Sequence, residues 1–491
     1  MKHLVVTLNV GGKNVIYDNA RASLREAARR WGCDYLEAVS YSGGHHWQEK
    51  LRLLEHLPAD VRVIYFDGDL IVRRDLPDPL KVVPEGSFGY VPTQHCDRAA
   101  GRVHEPMKTW VKDPAVFAKI DLPTHYPNSG MLAFHTTTHR RIFEVANESV
   151  ARWGFNSRWE IADQGPLAVA IATSGVPIFP LPGIFNRSCC DSWTAGMTFP
   201  TYHFCGGCDK DGMIPRTEWE FLGTDRTVPG TSLVRWQDGK PRALMEGPEV
   251  PFLLREVSRV QSGKIVEVGS YLGGAMFWIA HAARDFGNDV YAVDSWTGAP
   301  DLAADETVYR GFQLNMKDAG LDDYVNVVKK ASIEAADGFE NGSLDLVYID
   351  GDHRRAATYG DIHAWWPKLR IGGVMIGHDY CQRLNGVIEA VNECFGAPEE
   401  VSQGAYPIWK VTKSTAVSPK RRGPEWETKL QGHTAAKEAR AVSNTENITP
   451  RPQQGRLRAE LIRRQQSAPR PAQPTPATRR CGGCQGREIK R

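Results

Sequence analysis

The sequence predicts an α/β protein with two Rossmann-like, doubly wound sheets in series and a basic, disordered tail behind them. Three observations predict it. Short β-rich runs alternate with helix-like segments over residues 1–222, a second alternation occupies residues 249–413, and residues 414–491 are rich in Pro, Arg, Gln, Ala and Thr and poor in aromatics.

In the first stretch, His3 to Val10, Val61 to Phe66 and Gly130 to His135 read as strands, and Asn19 to Trp31 and Gln48 to Leu57 as helices. A polar segment with Gly, Pro and Thr, residues 223–248, breaks the pattern and is the expected linker. The second stretch has apolar runs at Lys264 to Val268, Asp289 to Val293, Val325 to Lys329, Leu344 to Ile349 and Gly373 to Ile376. Spacing of about 30 residues is what a strand, a crossover helix and the next strand require, so these runs predict a second, parallel sheet. The last stretch cannot bury enough apolar surface to offset its ordering entropy, a short helix near Leu457 to Gln465 excepted.

A chain of 491 residues, 41% hydrophobic and 24% charged, is long and apolar enough for two or three ordinary domains. Its apolar runs stop short of the ~18 residues that cross a bilayer. Met1 to Val10 leads into Gly11, Gly12 and Lys13 without a cleavage pattern, so it reads as a first strand and the protein as cytoplasmic. Ten widely scattered cysteines give no disulfide framework. The net charge of +2 hides an asymmetry: the tail from Ser414 carries roughly +11, which suits an anionic partner, and the folded part is mildly acidic.

Val61 to Phe66 ends in Asp67-Gly68-Asp69. Alternate residues of an extended segment point the same way, so both carboxylates can face one divalent cation, and a metal there could neutralise a diphosphate leaving group. Taken alone, such a pair more often marks a solvated turn. Three further segments follow in order: Tyr126-Pro127-Asn128-Ser129-Gly130, Ile161-Ala162-Asp163-Gln164, and Tyr202-His203-Phe204-Cys205-Gly206. With Lys50 on the helix before Asp67, they make residues 3–215 resemble nucleotide-diphospho-sugar glycosyltransferases of the GT-A fold, family 8 in particular. The resemblance implies Mn²⁺ or Mg²⁺ held by Asp67, Asp69 and His203, with Mn²⁺ favoured by the imidazole. It implies that Lys50 faces the donor, that Asn128, Ser129 and Gly130 border the sugar, and that Asp163 and Gln164 act at the reacting carbon with retention of configuration. Thr7 and Asn9, at the tip of the first strand, are the expected nucleotide contacts. Where the family continues into Lys-Pro-Trp, this chain has Gly207-Cys208-Asp209-Lys210. That departure keeps open a first domain that serves only as a scaffold.

In the second stretch, Glu267-Val268-Gly269-Ser270-Tyr271-Leu272-Gly273 ends one strand, and the next four end in Asp294-Ser295, Ala331-Ser332, Asp350-Gly351-Asp352-His353 and His378-Asp379-Tyr380. Glycines admit a ligand close to the backbone, and ligands of open α/β sheets lie at the carboxyl ends of strands, so five polar tips outline one pocket. Val347 to His353, Trp365-Trp366-Pro367 and Gly372 to Tyr380 make residues 250–410 resemble class I S-adenosylmethionine-dependent methyltransferases, specifically bacterial sugar and macrolide-sugar O-methyltransferases. By that resemblance Glu267, Gly269, Ser270 and Gly273 meet the methionine end of the cofactor, Asp294 and Ser295 the ribose, and Ser332 the adenine. Asp350 and Asp379 could hold a Mg²⁺ while His353 takes the acceptor's proton. His353 and His378 could equally serve only to bond neighbouring loops.

Cys205-Gly-Gly-Cys208 and Cys481-Gly-Gly-Cys484 could supply four thiolates to zinc, but they lie in different regimes of the chain and no shared site is expected. The combined expectation is a bifunctional enzyme that transfers a sugar from a nucleotide-diphosphate donor to a glycan acceptor and O-methylates a sugar hydroxyl. A methyltransferase directed to nucleic acid by the basic tail is the rival from another class, and it predicts steep salt dependence.

Overall fold

The computed structural model describes residues 2–8, 15–38, 46–72, 76–93, 100–158, 161–186, 201–203, 249–298 and 306–420. The expected linker at 223–248, Asn9, Lys210, both Cys-Gly-Gly-Cys pairs and the tail beyond residue 420 lie outside them.

The first sheet holds β1 (Lys2–Leu8), β2 (Asp34–Ala38), β3 (Val61–Phe66), β5 (Phe88–Pro92), β6 (Pro127–His135) and β7 (Ile178–Pro180), and β4 (Leu70–Val72) pairs with β8 (Thr201–His203) in a two-stranded ribbon beside it. The six strands run in the order β2-β1-β3-β6-β5-β7, and β6 alone is antiparallel to its neighbours. From Leu4 to Leu8, β1 is buried on both faces, which is why it reads as an unbroken apolar run.

The second sheet holds β9 (Lys264–Val268), β10 (Asp289–Asp294), β11 (Val325–Lys329), β12 (Leu344–Ile349), β13 (Leu369–Gly377), β14 (Glu400–Val401) and β15 (Trp409–Thr412) in the order β11-β10-β9-β12-β13-β15-β14. The order reverses beside β9, so a crevice opens at the carboxyl ends of β9, β10 and β12, the place where open α/β sheets take ligands. The sheet is parallel as expected except for β15, which runs antiparallel to β13 and β14. β15 follows edge strand β14 through the short loop 402–408, and a connection of that length makes the pair antiparallel, whereas a parallel strand would need another crossover.

Both sheets belong to one compact unit. Helix Glu249–Ser258 packs on helix Pro79–Val82, and the 3₁₀ turn Gly183–Phe185 packs on helix Gly274–Asp285. Phe179, Leu181, Ile184 and Phe185 of the first half and Leu253, Leu254, Ile279 and Ala283 of the second join one buried apolar cluster. No helix among the described residues is long and apolar enough to cross a membrane.

Candidate functional site

Two groups of side chains stand out, one at the carboxyl end of each sheet. In the first, Asp67 follows β3 directly, its N–H donating to Gly130 O at 2.8 Å, so the end of β3 is tied to β6. Pairing of Leu70 with His203 in the β4/β8 ribbon brings the imidazole to the same spot. Ligand atoms of Asp67, Asp69 and His203 lie within 4.8 Å of one another, with His203 Nε2 3.5 Å from Asp67 Oδ2 and 3.4 Å from Asp69 Oδ1. Gly130 makes room for the ring: a Cβ there would sit 2.6 Å from His203 Nδ1 and 3.0 Å from Asn186 Oδ1.

Behind the cluster, Lys50 is only 4% exposed. Its Nζ lies 2.8 Å from Asp67 Oδ1 and 2.8 Å from Asp163 Oδ2, and donates to Ser129 Oγ at 3.1 Å. Ser129 Oγ donates to Asp163 Oδ2 at 2.6 Å and Tyr65 OH to Asp67 Oδ1 at 2.6 Å. Burial alone would lower the Lys50 pKa, but Asp163 and Asp67 hold it well above the usual lysine value. Burial likewise works against the Asp67 carboxylate, yet Lys50 and His203 keep it far below the usual range. His203 is pushed down by burial and pulled up more strongly by Asp67 and Asp69, to about 9. At neutral pH the imidazole therefore carries a proton that a coordinating cation would displace. With that proton gone, a divalent ion plus Lys50 balances Asp67, Asp69 and Asp163, so the donor set fits such an ion.

In the second group, Glu267 near the end of β9 is 1% exposed, and its Oε2 has no hydrogen-bond partner. Burial drives its carboxyl well above the usual range; the Asp350 and Asp294 charges push the same way, and Ser270 offsets only part of this. Three carboxyl groups, Glu267, Asp294 and Asp350, thus face one crevice. Gly269, at φ +93°, lies so close to β12 that a Cβ would be 2.5 Å from the Asp350 carbonyl carbon and 2.7 Å from Gly351 Cα. The turn after it is pinned from outside: Asp294 Oδ2 accepts from Tyr271 N–H at 2.8 Å, Tyr271 O accepts from Trp296 Nε1 at 2.7 Å, and Leu272 O accepts from Asn315 Nδ2 at 2.9 Å. Tyr271, Trp296 and Asp379 all adopt positive φ, at 44°, 50° and 65°. Left-handed backbone of this kind costs L-residues free energy and gathers at sites where the surroundings over-determine it.

Beside Glu267, ligand atoms of Asp350, His378 and Asp379 lie within 4.8 Å of one another. His378 Nδ1 is 3.4 Å from Asp350 Oδ1 and 3.5 Å from Asp379 Oδ2, and His353 Nε2 is 2.9 Å from Asp379 Oδ2. Burial opposes the His378 charge, but Asp350 and Asp379 hold its pKa up at about 10. Asp379, despite burial, is held far below the usual carboxylate range by His353 and His378.

Residues 266–380, which run from β9 to just past β13, match the family described as a methyltransferase domain. The C-terminal sheet is a methyltransferase domain. An uncharacterised Sinorhizobium fredii protein, y4gI, is 30% identical over 140 residues, covering 28% of this chain and 15% of the relative. The catechol O-methyltransferase of Mycobacterium tuberculosis is 24% identical over 180 residues, 37% of this chain and 74% of that one. This chain thus spans a small part of y4gI and about three quarters of the mycobacterial enzyme. Among solved structures, an S-adenosylmethionine-dependent O-methyltransferase of Thermotoga maritima is similar at 16% identity and TM-score 0.27, covering 37% of this chain and 69% of that one. An O-methyltransferase of Bacillus cereus solved with S-adenosylhomocysteine is similar at 19% identity and TM-score 0.25, covering 30% and 74%. The family match carries the assignment, and it does not extend to the first sheet.

Within the methyltransferase domain, Glu267, Gly269, Asp294 and Asp350 share the crevice, and Gly273 caps helix Gly274–Asp285 in a left-handed conformation. The Ser270 hydroxyl is buried beside Glu267, whose charge it steadies, and the Ser295 hydroxyl meets Thr297 Oγ1 at 2.8 Å on the exposed side. Ser332 Oγ donates to Asp361 at 2.5 Å and accepts from Trp365 Nε1 at 2.9 Å, so its hydroxyl anchors helix Arg355–Trp365. In the first group, Thr7 Oγ1 is buried and unpartnered, Asn128 O accepts from Asn186 Nδ2 at 2.9 Å, and Gln164 begins helix Gln164–Thr173. Lys50 does not open toward solvent as a donor-facing residue would; it is consumed by two carboxylates. Sequence reasoning missed Tyr65, Asn186 and the position of His378 inside the carboxylate pair. Tyr65 was recoverable from its i, i+2 relation to Asp67, whereas Asn186 reaches its partners only through the fold.

Proposed function

We propose that the chain is a bifunctional glycan-modifying enzyme whose C-terminal domain is an S-adenosylmethionine-dependent O-methyltransferase acting on a sugar hydroxyl. The observation that carries this is Glu267: a fully buried carboxylate without a hydrogen-bonding partner for Oε2, facing Asp294 and Asp350, fits the positively charged end of that cofactor. Bound there, S-adenosylmethionine supplies an electrophilic methyl group on a sulfonium. Glu267 balances its charge, Gly269 and the turn to Gly273 admit it to the backbone, and Asp294 and Ser295 offer acceptors to the ribose. His353 is the base that takes the acceptor hydroxyl's proton, and Asp379, 2.9 Å from its Nε2, fixes the ring and stabilises the imidazolium. Asp350 and Asp379, with His378 between them, are where Mg²⁺ would lower the hydroxyl's pKa, once the His378 proton is displaced.

The first sheet reads as a nucleotide-sugar transferase. What favours this is the convergence of Asp67, Asp69 and His203 on one point, with Lys50 reaching both Asp67 oxygens and Tyr65 donating to Oδ1, so that the carboxylate is held in place beside Asp69 and His203. There Mn²⁺ would stabilise the leaving diphosphate, and Asp163 and Gln164 would border the transferred sugar. Fusion of the two activities raises the local concentration of the first product at the second site.

Mass spectrometry of glycan products tests both halves. The full chain with nucleotide sugars, Mn²⁺ and S-adenosylmethionine should yield glycosylated and methylated products, Asp69→Asn should lose the first and His353→Ala the second. Methylation of a catechol with no glycan turnover would redirect the substrate assignment, and unchanged sugar-nucleotide turnover in Asp69→Asn would reduce the first sheet to a scaffold.

A further inference from the structure

Helix Gly274–Asp285 connects the two halves end to end. Its N-terminus carries the glycine-rich turn of the methyltransferase crevice, and its last residue, Asp285, accepts from the Gly183 N–H at 2.6 Å. A carboxylate at the C-terminus of a helix is opposed by the helix dipole, so Asp285 depends for stabilisation on donors outside its own helix, and Gly183 N–H is one.

Gly183 opens a short turn that supports the first centre in two ways. Ile184 O accepts from Thr201 Oγ1 at 2.8 Å, which fixes the start of the strand that ends in His203. The Asn186 N–H donates to Gly183 O at 3.0 Å, and the Asn186 side chain meets Gly130 from the same side as His203. Ile184 and Phe185 are buried in the cluster shared with helix Gly274–Asp285, so the turn has little freedom once Asp285 holds it.

We propose that Asp285 is a positioning residue for the Asp67, Asp69 and His203 centre, so that the methyltransferase half supplies part of the framework that holds a divalent cation in the first half. This rests on reading those three residues as a cation site. The helix spans about 18 Å, so a change at Asp285 leaves the cofactor crevice at its other end in place.

Titration of the full chain with Mn²⁺, followed by electron paramagnetic resonance, isolates the first centre as the binding component abolished by Asp69→Asn. Asp285→Ala should weaken that component about tenfold, as loss of a supporting contact behind metal ligands does. Asp285→Asn, which keeps a carbonyl acceptor, should recover most of it, and both variants should bind S-adenosylhomocysteine as the wild type does. Wild-type Mn²⁺ affinity in Asp285→Ala overturns the proposal, as does parallel loss of Mn²⁺ and S-adenosylhomocysteine in both variants, which would make Asp285 a general fold contact. A wild-type titration indistinguishable from that of Asp69→Asn defeats the cation reading itself, and the proposal with it.

Discussion

Gly269→Ala is the sharpest perturbation of the methyltransferase crevice. The glycine sits at φ +93°, and the added methyl would lie 2.5 Å from the Asp350 carbonyl carbon and 2.7 Å from Gly351 Cα, where ordinary contact is 3.4–4 Å. Two penalties combine. A left-handed conformation costs an L-residue about 1–2 kcal/mol, and forcing the tips of β9 and β12 apart costs a further ~1–3 kcal/mol as overpacking. Neither neighbour can rotate aside, because both are backbone. The variant should therefore lose about 2–5 kcal/mol of stability. In urea that loss lowers the midpoint by about 1 M or more for a slope near 2 kcal/mol/M. Because the displaced atoms belong to Asp350, calorimetry should also show loss of S-adenosylhomocysteine binding. A variant with an unchanged urea midpoint and full affinity would refute the reasoning, since it would mean the turn after β9 is free to move away from β12.

Four further outcomes follow from the same geometry. Since burial raises the Glu267 pKa in the folded chain, the native state binds more protons than the unfolded one above the ordinary glutamate range, so stability falls as pH rises from there toward the raised pKa; Glu267→Gln should flatten that slope in urea titrations at several pH values. Cationic cofactor entering beside Glu267 should release a proton, seen as a dependence of binding heat on buffer ionisation enthalpy that Glu267→Gln abolishes. Lys50→Met strands Asp67 and Asp163 without their shared cation and should cost about 3–5 kcal/mol in the same denaturation assay. His353→Ala should lower kcat for methyl transfer by about 10²–10⁴-fold while S-adenosylhomocysteine affinity stays unchanged.

Much of this was legible in the sequence because a buried strand writes itself as an apolar run and its ligand-facing tip as the polar residues that follow. Val61 to Asp69 and Lys264 to Gly269 are both read this way, and both sets of carboxylates lie at strand ends. Boundaries were less legible. The first helix starts at Val15, four residues before the expected Asn19, since β-branched Val15 and Ile16 give only a weak helix signal in sequence. The strand expected at Gly373 begins at Leu369, because Gly372 and Gly373 break the strand pattern from inside. Conversely, the helix expected to run from Gln48 to Leu57 ends at Leu51 and gives way to a 3₁₀ turn at Leu53–Glu55. The reversals of β6 and β15 leave no mark on periodicity, which reports burial and not direction. Lys50 looked like a ligand-facing cation because nothing local announces that Asp163, far along the chain, takes half of its charge. His378 reads from sequence either as one of the polar tips that outline the pocket or as a loop contact, and its place between Asp350 and Asp379 depends on how β12 and β13 pair.

The central claim is that the tips of β9, β10 and β12 form the cofactor crevice of a methyltransferase. Isothermal titration of the full chain with S-adenosylhomocysteine tests it most directly, with Asp294→Ala alongside. The account predicts saturable one-to-one binding by the wild type and a loss of at least about tenfold in the variant, in line with removal of a charged hydrogen-bonding partner. Absence of binding to the wild type, or equal affinity in both proteins, would contradict it.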